Sequence, residues 1–303
     1  MGAVPGNDPV VRTTTVATPI PLTVHAWGRP GDPPVVLVHG GGDFARSFDG
    51  FAPLLAQGGH HVVSWDQRGH GDSARAELYV WAADVRDTIR FLEALGDGPH
   101  HLVGHSKGGV LAIEVAVARP DLVASLTLID GFARRWSVED DVVATMTRWL
   151  DARRRGRSPR PGTRDELADR RAATSPRVDA GWQRNLVDVG AVRDDDGTYR
   201  WKIDGAAFPY APHPSPIEHS RTLLGALTCP VLALVAGVAE PIAGQPTVDD
   251  LRRLLPPGAR LVELDGLGHF AHVEDPDRVA DLTLGFLADL PPSPPLGGDL
   301  SSG

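Results

Sequence analysis

The sequence predicts an α/β protein built on a mostly parallel sheet with crossover helices, and three observations point there. Short apolar runs of strand length alternate with longer stretches of helical periodicity. Most of the short runs are apolar on successive residues, as strands buried on both faces must be. The chain has 303 residues, 42% of them hydrophobic and 23% charged, enough to bury one substantial core.

Taken in order, Arg12–Ala17 and Leu22–Trp27 alternate polar and apolar residues, which predicts an antiparallel edge. Val35–His39, His61–Trp65, His101–Gly104, Ser125–Asp130, Val231–Val235 and Arg260–Leu264 read as buried strands, for a sheet of eight. Helical patterns cover Ser47–Ala56, Trp81–Leu95, Lys107–Ala118, Val248–Leu255 and Arg278–Ala288. Lys107–Ala118 is apolar almost all round and is therefore expected to be buried. No internal repeat is visible.

Between Phe132 and Thr228 the rhythm breaks. Two helix starts with capping boxes fall here, Ser137 with Asp140 and Thr163 with Glu166. Val142, Met146, Trp149 and Leu150 form an apolar stripe behind the first, and the Arg-, Pro- and Gly-rich run Arg153–Gly162 interrupts it. Arg134 to Arg171 holds 11 arginines against 7 acidic residues, read as a solvated helical face. The domain reading is a core of 1–131 and 229–290, an insertion at 132–228, and a Pro-, Gly- and Ser-rich tail at 291–303 expected to be disordered.

Composition narrows the function. A net charge of −9 argues against nucleic acid as partner, because neutralising phosphates takes an excess of Lys and Arg. One cysteine, Cys229, forbids an intrachain disulfide and is expected to be a buried structural thiol. No stretch reaches the ~18 apolar residues of a membrane span, and Met1–Val11 has no signal-peptide pattern, so the expectation is a cytoplasmic protein acting on a small molecule. No His/Cys/Asp cluster has ligand spacing, so neither a metal nor another cofactor is implied.

The chemistry-bearing motif is Gly104-His105-Ser106-Lys107-Gly108, a G-x-S-x-G between a predicted strand and a predicted helix. A sharp strand-to-helix turn exposes the serine oxygen and aims helix N–H groups at a developing oxyanion. Three further stretches follow the same order as those of a known family. With Val35–Gly42, Asp66–Ser73 and Gly266-Leu267-Gly268-His269-Phe270, the chain resembles the α/β-hydrolase family over about residues 35 to 290. The resemblance implies an α/β-hydrolase fold with an eight-stranded sheet, a helical cap at Phe132–Thr228, and hydrolysis of an ester-like bond by a serine esterase or lactonase mechanism.

A serine needs a base within hydrogen-bond reach. His269 is preferred to His272 because it follows a strand in a glycine-flanked loop and completes the chain order of such sites. His39 and His105 are expected to support the site structurally. Two carboxylates compete for the third place. Glu240, in Gly237–Ile242, resembles the family's acid-bearing turn, although Asp is usual there; Asp130 sits where some relatives place the acid. Glu240 is ranked first. The oxyanion donors implied are the backbone N–H groups of Gly41 and Lys107, and Phe132 and Trp136 are expected to line a largely apolar pocket.

Lys107 is one of only two lysines in the chain, the other being Lys202. Its ammonium is expected either to pair with a carboxylate of the insertion or to meet an anionic substrate group. Two rival readings are weighed. Gly40-Gly41-Gly42-Asp43-Phe44-Ala45 also fits a dinucleotide fingerprint with Asp66 as its acid, which would make the chain an NAD-dependent oxidoreductase. A catalytically silent binding protein on the same fold is the other.

Overall fold

The computed structural model of the chain describes residues 12–17, 20–96, 98–133, 142–155, 160–207, 217–238 and 246–296. The strands are β1 (Arg12–Ala17), β2 (Pro21–Trp27), β3 (Pro34–Val38), β4 (His61–Trp65), β5 (His100–His105), β6 (Val123–Ile129), β7 (Ala191–Arg193), β8 (Tyr199–Trp201), β9 (Val231–Ala236) and β10 (Arg260–Leu264). Eight of them form one sheet in the order β1-β2-β4-β3-β5-β6-β9-β10. β1 and β2 are antiparallel, as are β2 and β4, while every other neighbouring pair is parallel. The predicted strands are all present, with ends displaced by two residues at most.

The central strands read as continuous apolar runs because both their faces are covered: β3, β4 and β5 are buried at every position. The helices are α1 (Ala52–Gln57), α2 (Trp81–Leu95), α3 (Lys107–Ala118), α4 (Val142–Arg155), α5 (Arg164–Ala172), α6 (Ala180–Gly190), α7 (Ile217–Gly225), α8 (Val248–Leu254), α9 (Ala271–Glu274) and α10 (Pro276–Leu287). One apolar layer joins the sheet to α2, α3, α7 and α8 through Phe91, Leu111, Leu224 and Leu251. The opposite layer joins it to α1 and α10 through Leu55, Val279 and Phe286. α3 is buried on nearly all sides, as its sequence requires.

The insertion between β6 and β9 differs in detail from expectation. The capping box at Thr163 and Glu166 is present and opens α5. Ser137 and Asp140 lie outside the described residues. α4 runs on to Arg155, past the predicted break at Arg153, since arginine is itself a good helix former. Met146 and Leu150 of its apolar stripe are exposed. The β7–β8 hairpin was not predicted: each strand has three residues, too few to show an alternation. With α5 and α6 it encloses a small core of Leu167, Ala168, Val187 and Ala191. The Asp204 N–H donates to the Gly69 carbonyl at 2.7 Å, and the Tyr79 hydroxyl donates to Asp204 Oδ2 at 2.7 Å, tying the hairpin's end to the main domain.

The first residues of the expected tail, 291–296, are described and packed. Pro291 accepts a hydrogen bond from His101 Nε2 at 3.1 Å, and Ser293 is buried, so apolar contact and a backbone acceptor hold 291–296 against the fold. Cys229 is half-buried, and burial pushes its thiol up to about 11. Among the described residues no helix is long and apolar enough to cross a membrane.

Candidate active site

Ser106 stands between the end of β5 and the start of α3 with φ 52° and ψ −120°. A backbone reversing this sharply needs room beside it. A Cβ on Gly108 would fall 2.0 Å from the Val38 carbonyl oxygen, so the turn tolerates only glycine there. The loop at Gly40 also passes close, for a Cβ there would lie 2.9 Å from His105 Nδ1 and 3.3 Å from the Cβ of Ser106.

The structure brings three of the predicted residues into one hydrogen-bonded line. Ser106 Oγ lies 2.9 Å from His269 Nε2, and His269 Nδ1 lies 2.6 Å from Asp130 Oδ2. The carboxylate can only accept, so Nδ1 carries the proton and Nε2 is left to receive the one on the serine hydroxyl. Asp130 follows β6 directly; its N–H donates to the Leu234 carbonyl at 2.9 Å, and its Oδ1 accepts from the Ala236 N–H at 3.2 Å. Backbone on both sides therefore fixes this carboxylate.

The second-ranked acid is therefore the one seen bonded to His269. The Nδ1 side of His269 faces Asp130, while Glu240 lies outside the described residues. Chain order could not separate them, because both precede His269 and both follow a central strand.

His105 supports the site as expected. Its Nε2 lies 2.9 Å from the His269 carbonyl oxygen, so Nε2–H is the donor and the bond pins the backbone of the histidine loop. Burial holds His105 well below the usual histidine range, and His272, whose tilted ring lies 4.4 Å from it, is held down to about 3. Both rings are neutral beside His269. His39 holds the loop at Gly40 in the same way. Its Nε2 accepts the Gln67 N–H at 2.9 Å and its Nδ1–H donates to the Gly40 carbonyl at 2.8 Å, while Gln67 Nε2 donates to the His39 carbonyl at 2.6 Å.

Of the two expected oxyanion donors, Gly41 is exposed on the loop beside Ser106, and Lys107 opens α3, where backbone N–H groups project beyond the helix end. The Lys107 side chain turns inward. Its Nζ pairs with Asp84 Oδ2 at 2.8 Å, both side chains being under 10% exposed. Asp84 belongs to α2, so the partner is a carboxylate of the main domain and not of the insertion. Arg68 completes the buried group, donating from Nε and Nη2 to Asp87 at 2.7 and 2.8 Å.

The expected pocket residues fare differently. Phe132 is 2% exposed and belongs to the core, in the apolar cluster that includes Leu111 and Val115 of α3. Trp136 lies outside the described residues. Sequence reasoning missed Arg171, Arg177 and Glu274, whose side chains reach the loops around the site; no local motif marks residues that meet across as many as 128 positions of chain.

The dinucleotide reading fails on Asp66. Its Oδ1 accepts the Ala45 N–H at 2.8 Å and its Oδ2 the Asp72 N–H at 2.9 Å, and the residue is 2% exposed. A carboxylate buried this far and bonded to backbone on both oxygens presents no exposed edge to a ribose hydroxyl. The Gly40–Ala45 loop runs into a short 3-10 turn at Ala45–Phe48, so it presents no long helix N-terminus to a pyrophosphate.

A serine on a strand-to-helix turn of a mostly parallel sheet, facing a histidine from a late loop, is the arrangement of the α/β hydrolases. The chain belongs to that family: the model of the alpha/beta hydrolase family matches residues 35–282. It is 30% identical to the rhodomycin D methylesterase DauP of Streptomyces sp. (strain C5), over 80% of this chain and 86% of that one. It is 28% identical to the sn-1-specific diacylglycerol lipase ABHD11 of Mus musculus, over 89% and 86%. Among solved structures, the hypothetical protein PA1622 from Pseudomonas aeruginosa PAO1 superposes with a TM-score of 0.80 at 29% identity, covering 92% of this chain and all (100%) of the other.

Proposed function

We propose that the chain hydrolyses a carboxylic ester or lactone through an acyl-enzyme on Ser106. The observation that carries this reading is the unbroken line from Ser106 Oγ through His269 to Asp130, at 2.9 and 2.6 Å. Relatives named as a methylesterase and a lipase support an ester as the bond attacked.

In this mechanism Ser106 Oγ attacks the carbonyl carbon while His269 Nε2 takes its proton. Asp130 holds the ring in the tautomer that leaves Nε2 basic, and stabilises the imidazolium that forms. The N–H groups of Gly41 and Lys107 bind the oxyanion, a charge present only near the transition state, and each such donor is worth ~10²–10³ in rate. The tetrahedral adduct expels an alkoxide, which takes the proton from Nε2. Water, activated by the same nitrogen, then releases the acid and restores Ser106. The insertion at 132–228 acts as a cap over this site, and its aromatic residues favour a medium-sized, largely apolar substrate.

The test is a generic aryl ester with rapid quenching and intact-mass measurement. Turnover with a transient acyl adduct on the Ser106 peptide is expected. Turnover without any adduct, or an adduct elsewhere, contradicts the mechanism.

A further inference from the structure

Two arginines of the insertion, Arg171 and Arg177, between them reach both loops that carry the proposed chemistry. At the end of α5, Arg171 Nη2 donates to Asp43 Oδ1 at 3.2 Å. Asp43 closes the oxyanion loop two residues after Gly41, and its side chain is 3% exposed. The Arg171 guanidinium also lies 5.7 Å from the ring centre of Trp201 and 5.9 Å from that of Phe270, the residue after His269. In the turn between α5 and α6, Arg177 Nε donates to Glu274 Oε2 at 2.9 Å, and its Nη2 donates to the Gly266 carbonyl. The same Glu274 oxygen accepts the Gly268 N–H at 2.9 Å. Gly266 and Gly268 belong to the three residues that lead into His269.

These contacts are not surface ornaments. Exposed ion pairs contribute little, but Asp43 and Glu274 are at most 5% exposed in their side chains, and a buried carboxylate deprived of its cation is strongly destabilised. Arg177 satisfies a carboxylate and a carbonyl at once, which the planar guanidinium can do and an ammonium on a flexible stem does poorly. His105 already pins the His269 carbonyl from below, so Arg177 and Glu274 fix the loop on the side that faces the insertion.

We propose that Arg171 and Arg177 are positioning residues forming a bracket: Arg171 sets the oxyanion loop through Asp43, and Arg177 sets the histidine loop through Glu274 and Gly266. Donor and base then reach working distance from Ser106 together, and only while the insertion is seated. The inference rests on the Ser106 mechanism proposed above. The two arms have different signatures. Loosening the histidine loop weakens the Nδ1–H bond to Asp130, which lowers the basicity of His269; His105 and His272 face the same ring but are already neutral. Loosening the oxyanion loop leaves that basicity alone.

The experiment compares Arg177→Met, Arg171→Met, the charge-keeping Arg177→Lys and Arg171→Lys, and Ser106→Ala on one aryl ester, with kcat, KM, the pH profile of kcat/KM and the melting temperature read for each. Arg177→Met is expected to lose ~10- to 100-fold in kcat, the effect of a misplacement of about 1 Å, with KM within about threefold. The acid limb of its profile moves to lower pH. Arg171→Lys, which keeps the cation that faces His272 and Phe270, is expected to lose kcat with the acid limb unmoved. If either methionine variant does not fold, its lysine counterpart is expected to fold and show the same loss, because it keeps the charge but not the fork. Variants that keep wild-type kcat and pH profile and lose only melting temperature overturn the bracket. Ser106→Ala separates the two claims: if it stays active the mechanism itself falls, whereas an inactive Ser106→Ala beside fully active arginine variants overturns the bracket alone.

Discussion

Ser106 and Asp130, bridged by His269, are the two non-glycine residues with positive φ among the described residues, at 52° and 45°. Each sits at the C-terminal end of its strand, β5 or β6, and the Ser106 N–H donates to the Ile129 carbonyl at 3.0 Å. The two turns are thus coupled through the sheet. Side chains leaving parallel strands in this conformation project above the sheet edge, where His269 meets both. Backbone strain of this kind amounts to ~1–3 kcal/mol per residue and persists only where the surrounding structure over-determines it.

The strain gives a stability prediction. Ser106→Gly is expected to be more stable than Ser106→Ala by ~1 kcal/mol, because glycine occupies this region of φ and ψ freely while alanine keeps the clash. Urea unfolding of the two variants measures the difference. Equal stability, or a more stable alanine variant, removes strain from the account of the turn.

The acid assignment is tested by a pair of isosteric changes. Asp130→Asn is expected to lower kcat by ~10⁴ by turning the tautomer of His269, while Glu240→Gln stays within about tenfold of wild type. The opposite ranking would return the role to Glu240.

Lys107 and Asp84 form a buried pair under the nucleophile turn. Lys107→Met is expected to destabilise the protein by about 3 kcal/mol by stranding the Asp84 carboxylate, with Arg68 Nε at 3.8 Å giving partial relief. Lys107→Met combined with Asp84→Asn should recover part of that loss in thermal unfolding. Discrimination between an acidic ester and its neutral isostere should be unchanged in Lys107→Met. A selective loss on the acidic ester would place the ammonium on the substrate after all.

Buried neutral histidines set the acid side of the stability profile. Burial is the main cause that lowers His39 to about 3, His70 to about 4 and His272 to about 3. Each binds a proton in the unfolded chain below about 6.5 but not in the fold, so the unfolded state gains protons first and stability falls as pH drops from about 6.5 toward 4. Once the unfolded histidine is fully protonated, each contributes a slope of about 1.4 kcal/mol per pH unit. His272→Phe, in a site bounded by the Phe48 and Phe51 rings, is expected to flatten the slope by one proton's worth in denaturant unfolding between about pH 6 and about pH 4.5. An unchanged slope contradicts the neutral assignment of His272.

What the sequence disclosed follows physical lines. The parallel strands were legible because burial on both faces writes itself as an apolar run, and α3 because a fully enclosed helix is apolar all round. The serine turn was legible because its glycines are sterically required. Asp130 was ambiguous because the feature that selects it is a backbone angle at the end of β6, which no side-chain pattern encodes. The β7–β8 hairpin was invisible for want of length. Arg171 and Arg177 were hidden in a locally basic stretch whose ordinary meaning is a solvated face; only their partners Asp43 and Glu274, distant in the chain, distinguish them.

The most direct test of the central claim is kcat of Ser106→Ala on an aryl ester that the wild type turns over, with circular dichroism confirming the fold. Nucleophile and base act as a unit, so the loss expected is on the order of 10⁶. More than about a hundredth of wild-type activity in the folded variant, far above the residual rate such a unit leaves behind, would contradict an acyl-enzyme on Ser106.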